Sequence, residues 1–116
     1  MQDLARECTN LISMVHVSST FVNSNRPFGS IVEEKCYEPK FDPEELINRI
    51  MQMNPQELEI EQPKILEKCG FSNTYTFTKN MAEVVMERRS GDMRISVLRP
   101  ATINACFREP FPGWLD

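Results

Sequence analysis

Tyr75 and Lys79 stand four residues apart in Asn73-Thr74-Tyr75-Thr76-Phe77-Thr78-Lys79, at the start of a predicted helix. That spacing puts a phenol and an ammonium on one helical face, where the cation can ease the phenol's loss of its proton. A tyrosine acidified in this way can give or take a proton at a carbonyl oxygen near neutral pH. A Tyr and a Lys four apart also occur by chance on solvated helices, so the pair counts only in the right structural context. A second group points the same way. Ser18-Ser19-Thr20 closes an apolar run and offers hydroxyls that could hydrogen-bond the same carbonyl oxygen as negative charge develops on it. Ser19 is the preferred hydroxyl. Ser18 and Thr20 share one side of an extended chain and Ser19 the other, so register decides which serves. The plainer alternative for these hydroxyls is that they cap a turn where a strand ends.

The elements that must position these groups can be read along the chain. Leu4, Ala5, Cys8, Leu11 and Ile12 fall at helical spacing, so the first dozen residues read as the end of an amphipathic helix. Ser13 to Ser19 reads as a short buried strand, and 23–42, with its Asn, Pro and Gly, as loop. Asp42-Pro43-Glu44-Glu45 is a helix start, with a capping Asp, Pro at the first helical position and acids at the positive end. Leu46, Ile47, Ile50 and Met51 are its expected buried stripe. Asn54-Pro55-Gln56-Glu57 repeats the signal for a second helix, and Pro63 is expected to open a third that stops at Gly70. Ser72 or Asn73 caps the helix carrying Tyr75. The other face of that helix presents Phe77, Met81, Val84 and Val85, and Arg88, Arg89 and Gly91 end it. Met93 to Leu98 is the second strand, halted by Arg99-Pro100, and the tail from Glu109 to Trp114 is irregular.

Two strands linked by helices suit a crossover and a parallel sheet covered on both faces. Such sheets place ligands at the carboxyl ends of their strands. The hydroxyls end one predicted strand, and Pro100 to Ile103 follow the other.

Composition excludes several classes. The 116 residues carry a net charge of -4, with 41% hydrophobic and 26% charged residues, as in an ordinary folded segment rather than a disordered one. No Lys/Arg stripe is present, which argues against a nucleic-acid partner. No run approaches the ~18 apolar residues that span a bilayer. The N-terminus lacks the basic and apolar pattern of a signal peptide, so the segment is expected to be soluble. Cys8, Cys36, Cys69 and Cys106 form no Cys-x-x-Cys pair, and His16 is the sole imidazole. Reduced thiols are therefore expected rather than disulfides or zinc, and no metal site is assigned. His16 reads as a core histidine, the methionines as packing residues, and Glu57, Glu59 and Glu61 as a solvated face.

Several blocks, in this order, resemble one family: His16-Val17-Ser18-Ser19-Thr20-Phe21-Val22-Asn23; Val32-Glu33-Glu34; Asp42-Pro43-Glu44-Glu45-Leu46-Ile47; Asn73 to Lys79 with Ala82-Glu83; Leu98-Arg99-Pro100; and Glu109-Pro110-Phe111-Pro112-Gly113-Trp114. From about residue 12 onward the chain resembles the alcohol-forming fatty acyl-CoA reductases, a branch of the extended short-chain dehydrogenase/reductases, and especially their animal members. The Pro-Phe-Pro-Gly-Trp block discriminates most, because the Tyr/Lys pair is common to the superfamily.

The resemblance implies an α/β fold: a partial Rossmann-type parallel sheet, the C-terminal half of such a reductase domain, with a helical insertion at 42–70. It implies NADPH as cofactor and a long-chain acyl-CoA as substrate, reduced through an aldehyde to a primary alcohol. It makes Ser19, Tyr75 and Lys79 the catalytic residues. Val17, Ser18, Tyr75, Lys79, Pro100, Ala101, Thr102 and Ile103 are implied to lie along the cofactor. Ser19, Thr20 and Phe21 replace the family's usual Thr, Ala and Tyr, which keeps the hydroxyl and loses a polar tip. It also implies a place on the cytosolic face of the peroxisomal membrane. The four glycines form no phosphate-binding G-x-G-x-x-G loop. Residues 1–116 are accordingly expected to be an internal piece of a longer enzyme whose cofactor-gripping half lies upstream. A nucleotide-sugar epimerase or dehydratase, or an inactive truncated product, are the alternatives.

Overall fold

The computed structural model describes residues 2–115; Met1 and Asp116 lie outside the described residues. Element order is α1 (Gln2–Glu7), β1 (Met14–Val17), a 3-10 turn (Thr20–Asn23), α2 (Pro43–Gln52), α3 (Pro55–Cys69), α4 (Thr74–Arg88) and β2 (Ile95–Leu98). The mixed α/β class and the parallel pairing agree with the sequence expectation. β1 and β2 pair in register Met14 to Ile95, Val15 to Ser96, His16 to Val97 and Val17 to Leu98.

Local chemistry explains the three long helices. Asp42 accepts from the backbone N–H groups of Glu44 and Glu45, both at 2.9 Å, and Pro43 opens α2 at no hydrogen-bond cost. Asn54 and Glu57 form a reciprocal capping box at the start of α3. Gly70 ends α3 at φ 80°, a left-handed conformation that glycine adopts without a Cβ clash. The reversal drops Phe71 into the core. Asn73, rather than Ser72, caps α4 by accepting from Thr76 N at 2.9 Å.

That core is thin. Ile65, Phe71, Phe77 and Met81 cluster, with Phe41, Leu46, Ile47, Ile50 and Met53 packed against them. It glues α2 and α3 to one side of α4, and the Phe71 and Phe77 rings meet edge-on with centroids 5.6 Å apart.

Five expectations are corrected. Pro63 does not open a third helix; it sits inside a continuous α3. Proline there removes one backbone bond and costs about 3 kcal/mol. Pro63 is exposed, so water can take up the freed carbonyl, while the capping box and the burial of Ile65 hold the helix together. Met51 is 78% exposed rather than buried: it falls off the side of α2 on which Leu46, Ile47 and Ile50 meet the core. The helix expected over the first dozen residues ends at Glu7, and its apolar stripe is uncovered, with Leu4 on α1 and Ile12 beyond it both exposed. Glu57 and Glu61 are not simply solvated: one completes the capping box, and the other pairs with Lys64 and Arg49.

The largest departure concerns the sheet. It is not covered on both faces, and β1 is not a buried strand. Val15, Val17 and Leu98 are more than half exposed, because among the described residues no element packs on the side opposite α4.

Candidate active site

α4 carries Tyr75, Lys79 and Glu83 at four-residue intervals, a row that crosses the carboxyl ends of both strands. Lys79 Nζ donates to the Val17 carbonyl at 3.1 Å and so ties α4 to the end of β1. An ammonium has three donors, which leaves two for a phenol or a ribose hydroxyl. Tyr75 lies one turn earlier on the same side and is 52% exposed, open to an incoming ligand.

The ladder continues past the strands and draws the two following loops together. Ser18 N donates to Leu98 O at 2.7 Å, and Thr20 N donates to Pro100 O at 3.1 Å. Val17, Ser18, Lys79 and Pro100 are therefore joined at one edge. Ala101, Thr102 and Ile103 continue from that edge as exposed irregular chain.

Ser19 is buried and extended (φ -154°, ψ 148°), and its Oγ accepts from Phe21 N at 3.2 Å to cap the 3-10 turn. The capping alternative thus holds for Ser19 without removing its chemistry. A hydroxyl that accepts from a backbone N–H keeps its own proton to donate, and the cap fixes where the oxygen sits. The 3-10 turn itself went unread in the sequence, where Thr20 to Asn23 passed from strand end to loop. Ser18 Oγ is buried without a hydrogen-bond partner.

Sequence reasoning missed a second tie. Glu83, 2% exposed, receives both Arg99 Nε at 3.0 Å and Arg99 Nη2 at 2.7 Å, a two-point clasp between α4 and the end of β2. Arg99 Nη2 also donates to Lys35 O at 2.9 Å, drawing in the loop before α2. The Glu83 carboxylate holds the Arg99 guanidinium charged by raising its pKa further. The available signal was an acid beside Met81 and Val84 on a helix's apolar side, where a charge persists only when paired. Nearby, burial first and Glu87 second push the Cys36 thiol up to about 12, so it stays protonated.

No group of His, Cys, Asp and Glu side chains among the described residues is arranged to hold a metal ion. All four cysteines are free. No helix of the described residues is long and apolar enough to cross a membrane.

Parallel strands joined by helices, with α4 tied to their carboxyl ends, are the layout of a doubly wound α/β nucleotide-binding domain. The chain belongs to the NAD-binding family described as male sterility protein, whose model matches residues 1–116. Among individual proteins it is similar to fatty acyl-CoA reductase 1 of Xenopus laevis, 35% identical over 97% of this chain. It is 34% identical to fatty acyl-CoA reductase 1 of Gallus gallus and 31% identical to fatty acyl-CoA reductase 2 of Mus musculus, again over 97% of the chain. The chain spans about a fifth of the length of these relatives, 21% in each case. No solved structure gives a significant match.

Proposed function

We propose that this chain is the proton-donating half of a reductase domain that uses NADPH to convert a long-chain acyl-CoA to a primary alcohol. The observation that supports the reading is the hydrogen bond from Lys79 to Val17 O, which ties the helix carrying Tyr75 to the strand end that Ser18 and Ser19 follow. The names of the relatives support an acyl-CoA substrate over a nucleotide sugar. A nicotinamide held there would supply hydride twice: once to the thioester carbon, with the CoA thiol leaving to give the aldehyde, and once, from a second NADPH, to the aldehyde carbon. Tyr75 gives its proton to the carbonyl oxygen, the Ser19 hydroxyl donates a hydrogen bond to that oxygen as charge builds, and Lys79 stabilises the tyrosinate left behind. Val17, Ser18 and Pro100 to Ile103 line the cofactor's path, and the exposed 101–103 chain suits that role. The whole of 1–116 is one part of that domain, with a partner segment supplying the phosphate-binding turn. By resemblance, the enzyme works on the cytosolic face of the peroxisomal membrane.

In the intact protein, Tyr75→Phe is expected to slow NADPH oxidation with palmitoyl-CoA by ~10²-fold or more, without unfolding, since the phenol is half exposed. Near-normal turnover would remove Tyr75 from the mechanism. The insertion at 42–70 covers the opening for the acyl chain, so deleting 42–68 is expected to change chain-length preference. An unchanged preference across acyl-CoAs of different length would refute that role.

A further inference from the structure

Two side-chain ties, one turn apart on the same row of α4, hold that helix to the strand ends. Lys79 reaches the end of β1 through Val17 O, and Glu83 reaches the end of β2 through Arg99. Among the described residues no other side-chain hydrogen bond joins α4 to β2 or to the chain that follows it. A single tie fixes one point of a helix and leaves its tilt and rotation open. A second, about 6 Å further along the axis, limits both.

The Glu83 tie is built for direction. A buried ion pair adds little net stability over an apolar contact of the same volume. What two parallel bonds add is orientation. The Glu83 carboxylate is 2% exposed, and Arg99 Nη2 is held a second time by Lys35 O at 2.9 Å. Arg99 also immediately precedes Pro100, whose carbonyl accepts from Thr20 N. The clasp therefore bears on where the chain leaves β2 as well as on where α4 lies.

We propose that Glu83 and Arg99 are positioning residues, whose clasp sets the distance between the Tyr75–Lys79 face of α4 and the Pro100–Ile103 chain. This rests on the reductase reading above, in which the first supplies the proton and the second lines the cofactor's path. Their part in the reaction is geometric, passed on through α4 and Pro100. A displacement of about 1 Å between reacting groups can cost ~10²-fold in rate.

The test compares the intact wild type with Arg99→Lys, with Glu83→Leu, and with the Glu83→Leu/Arg99→Leu double variant. Each is assayed below the onset of its own unfolding. Arg99→Lys keeps the charge and loses the two-point geometry; the double variant removes both charges and so regains stability over Glu83→Leu. In all three, kcat for NADPH oxidation with palmitoyl-CoA is expected to fall about tenfold or more, with KM for palmitoyl-CoA within about twofold of wild type. Hydrogen exchange at Ser18 and Thr20, whose N–H groups donate to Leu98 O and Pro100 O, is expected to quicken about fivefold in the free enzyme. Near-normal kcat in Arg99→Lys, a kcat that recovers with melting temperature in the double variant, or unchanged exchange overturns the proposal. A wild type that does not oxidise NADPH with palmitoyl-CoA sinks the reductase reading instead. The exchange result then decides by itself whether the clasp holds the strand ends.

Discussion

At the scale of single residues, burial decides which contacts matter. The surface pairs such as Lys64 with Glu61 are exposed and contribute little. Glu83 and Arg99 are different, because the carboxylate is almost wholly removed from water. Taking away one member strands the other in a place where it cannot be hydrated, and breaking such pairs typically costs 3–5 kcal/mol. Arg99 retains some exposure, so Glu83→Gln is expected to destabilise by about 3 kcal/mol, measured as a lower urea midpoint. The double variant Glu83→Leu with Arg99→Leu should cost less than either single change, since it leaves no uncompensated charge. A double change more costly than each single one would mean the pair's shape, rather than its charge, holds the strand end.

At the scale of elements, α2 is tied to α4 through acids at its start. Asp42 caps the helix, and Arg88 Nη1 meets its Oδ2 at 2.8 Å, while Arg89 Nη2 meets Glu44 Oε2 at 2.7 Å. The backbone N–H of Glu45 first, and Arg88 second, hold the Asp42 carboxyl below its ordinary value; Arg89 does the same for Glu44. A depressed carboxyl contributes stability that is complete above its unfolded-state pKa, near 4, and is lost as pH falls through the lower folded value. Wild type is therefore expected to lose melting temperature below about pH 4. Asp42→Asn, which still caps, should start lower and show a shallower acid decline; parallel pH profiles of the two would show that Asp42 takes no part. The same scale explains Pro63. Its neighbours read as a boundary in sequence, yet α3 passes through because the capping box upstream and the buried Ile65 downstream outweigh one missing hydrogen bond.

At the scale of the whole molecule, the chain is more open than its length requires. Its radius of gyration is 17.1 Å, against roughly 13 Å for a self-contained domain of this size. Exposed apolar side chains lie in the loop after β1, at Phe28 and Ile31, along the tail, at Ile103 and Phe107, and on the uncovered sheet face, at Val15, Val17 and Leu98. Under the proposed function that face meets further elements of the reductase domain. Val15→Lys is then expected to destabilise the intact protein by about 2–3 kcal/mol, the effect of burying a charge in place of an aliphatic chain. In the 116-residue segment alone the same change should stay within about 0.5 kcal/mol, as for any exposed position. Equal small effects in both would show that nothing covers the face.

Much of the site was legible without coordinates, because it depends on local rules. Caps at Asp42, Asn54 and Asn73 and the stop at Gly70 are written in short-range backbone chemistry, and they set helix ends within a residue or two. The i to i+4 spacing of Tyr75 and Lys79 needs only a helix to place both on one side. Strand ends were legible too, since Ser18-Ser19 and Arg99-Pro100 interrupt apolar runs. Tertiary structure decided what each side chain meets across long separations in sequence: Lys79 with Val17 O, and Glu83 with Arg99. It also decided that Pro63 is passed over and that Met51 and one sheet face stay in water. These outcomes turn on which surfaces approach one another in space, and residue order does not encode that distance until the chain has packed.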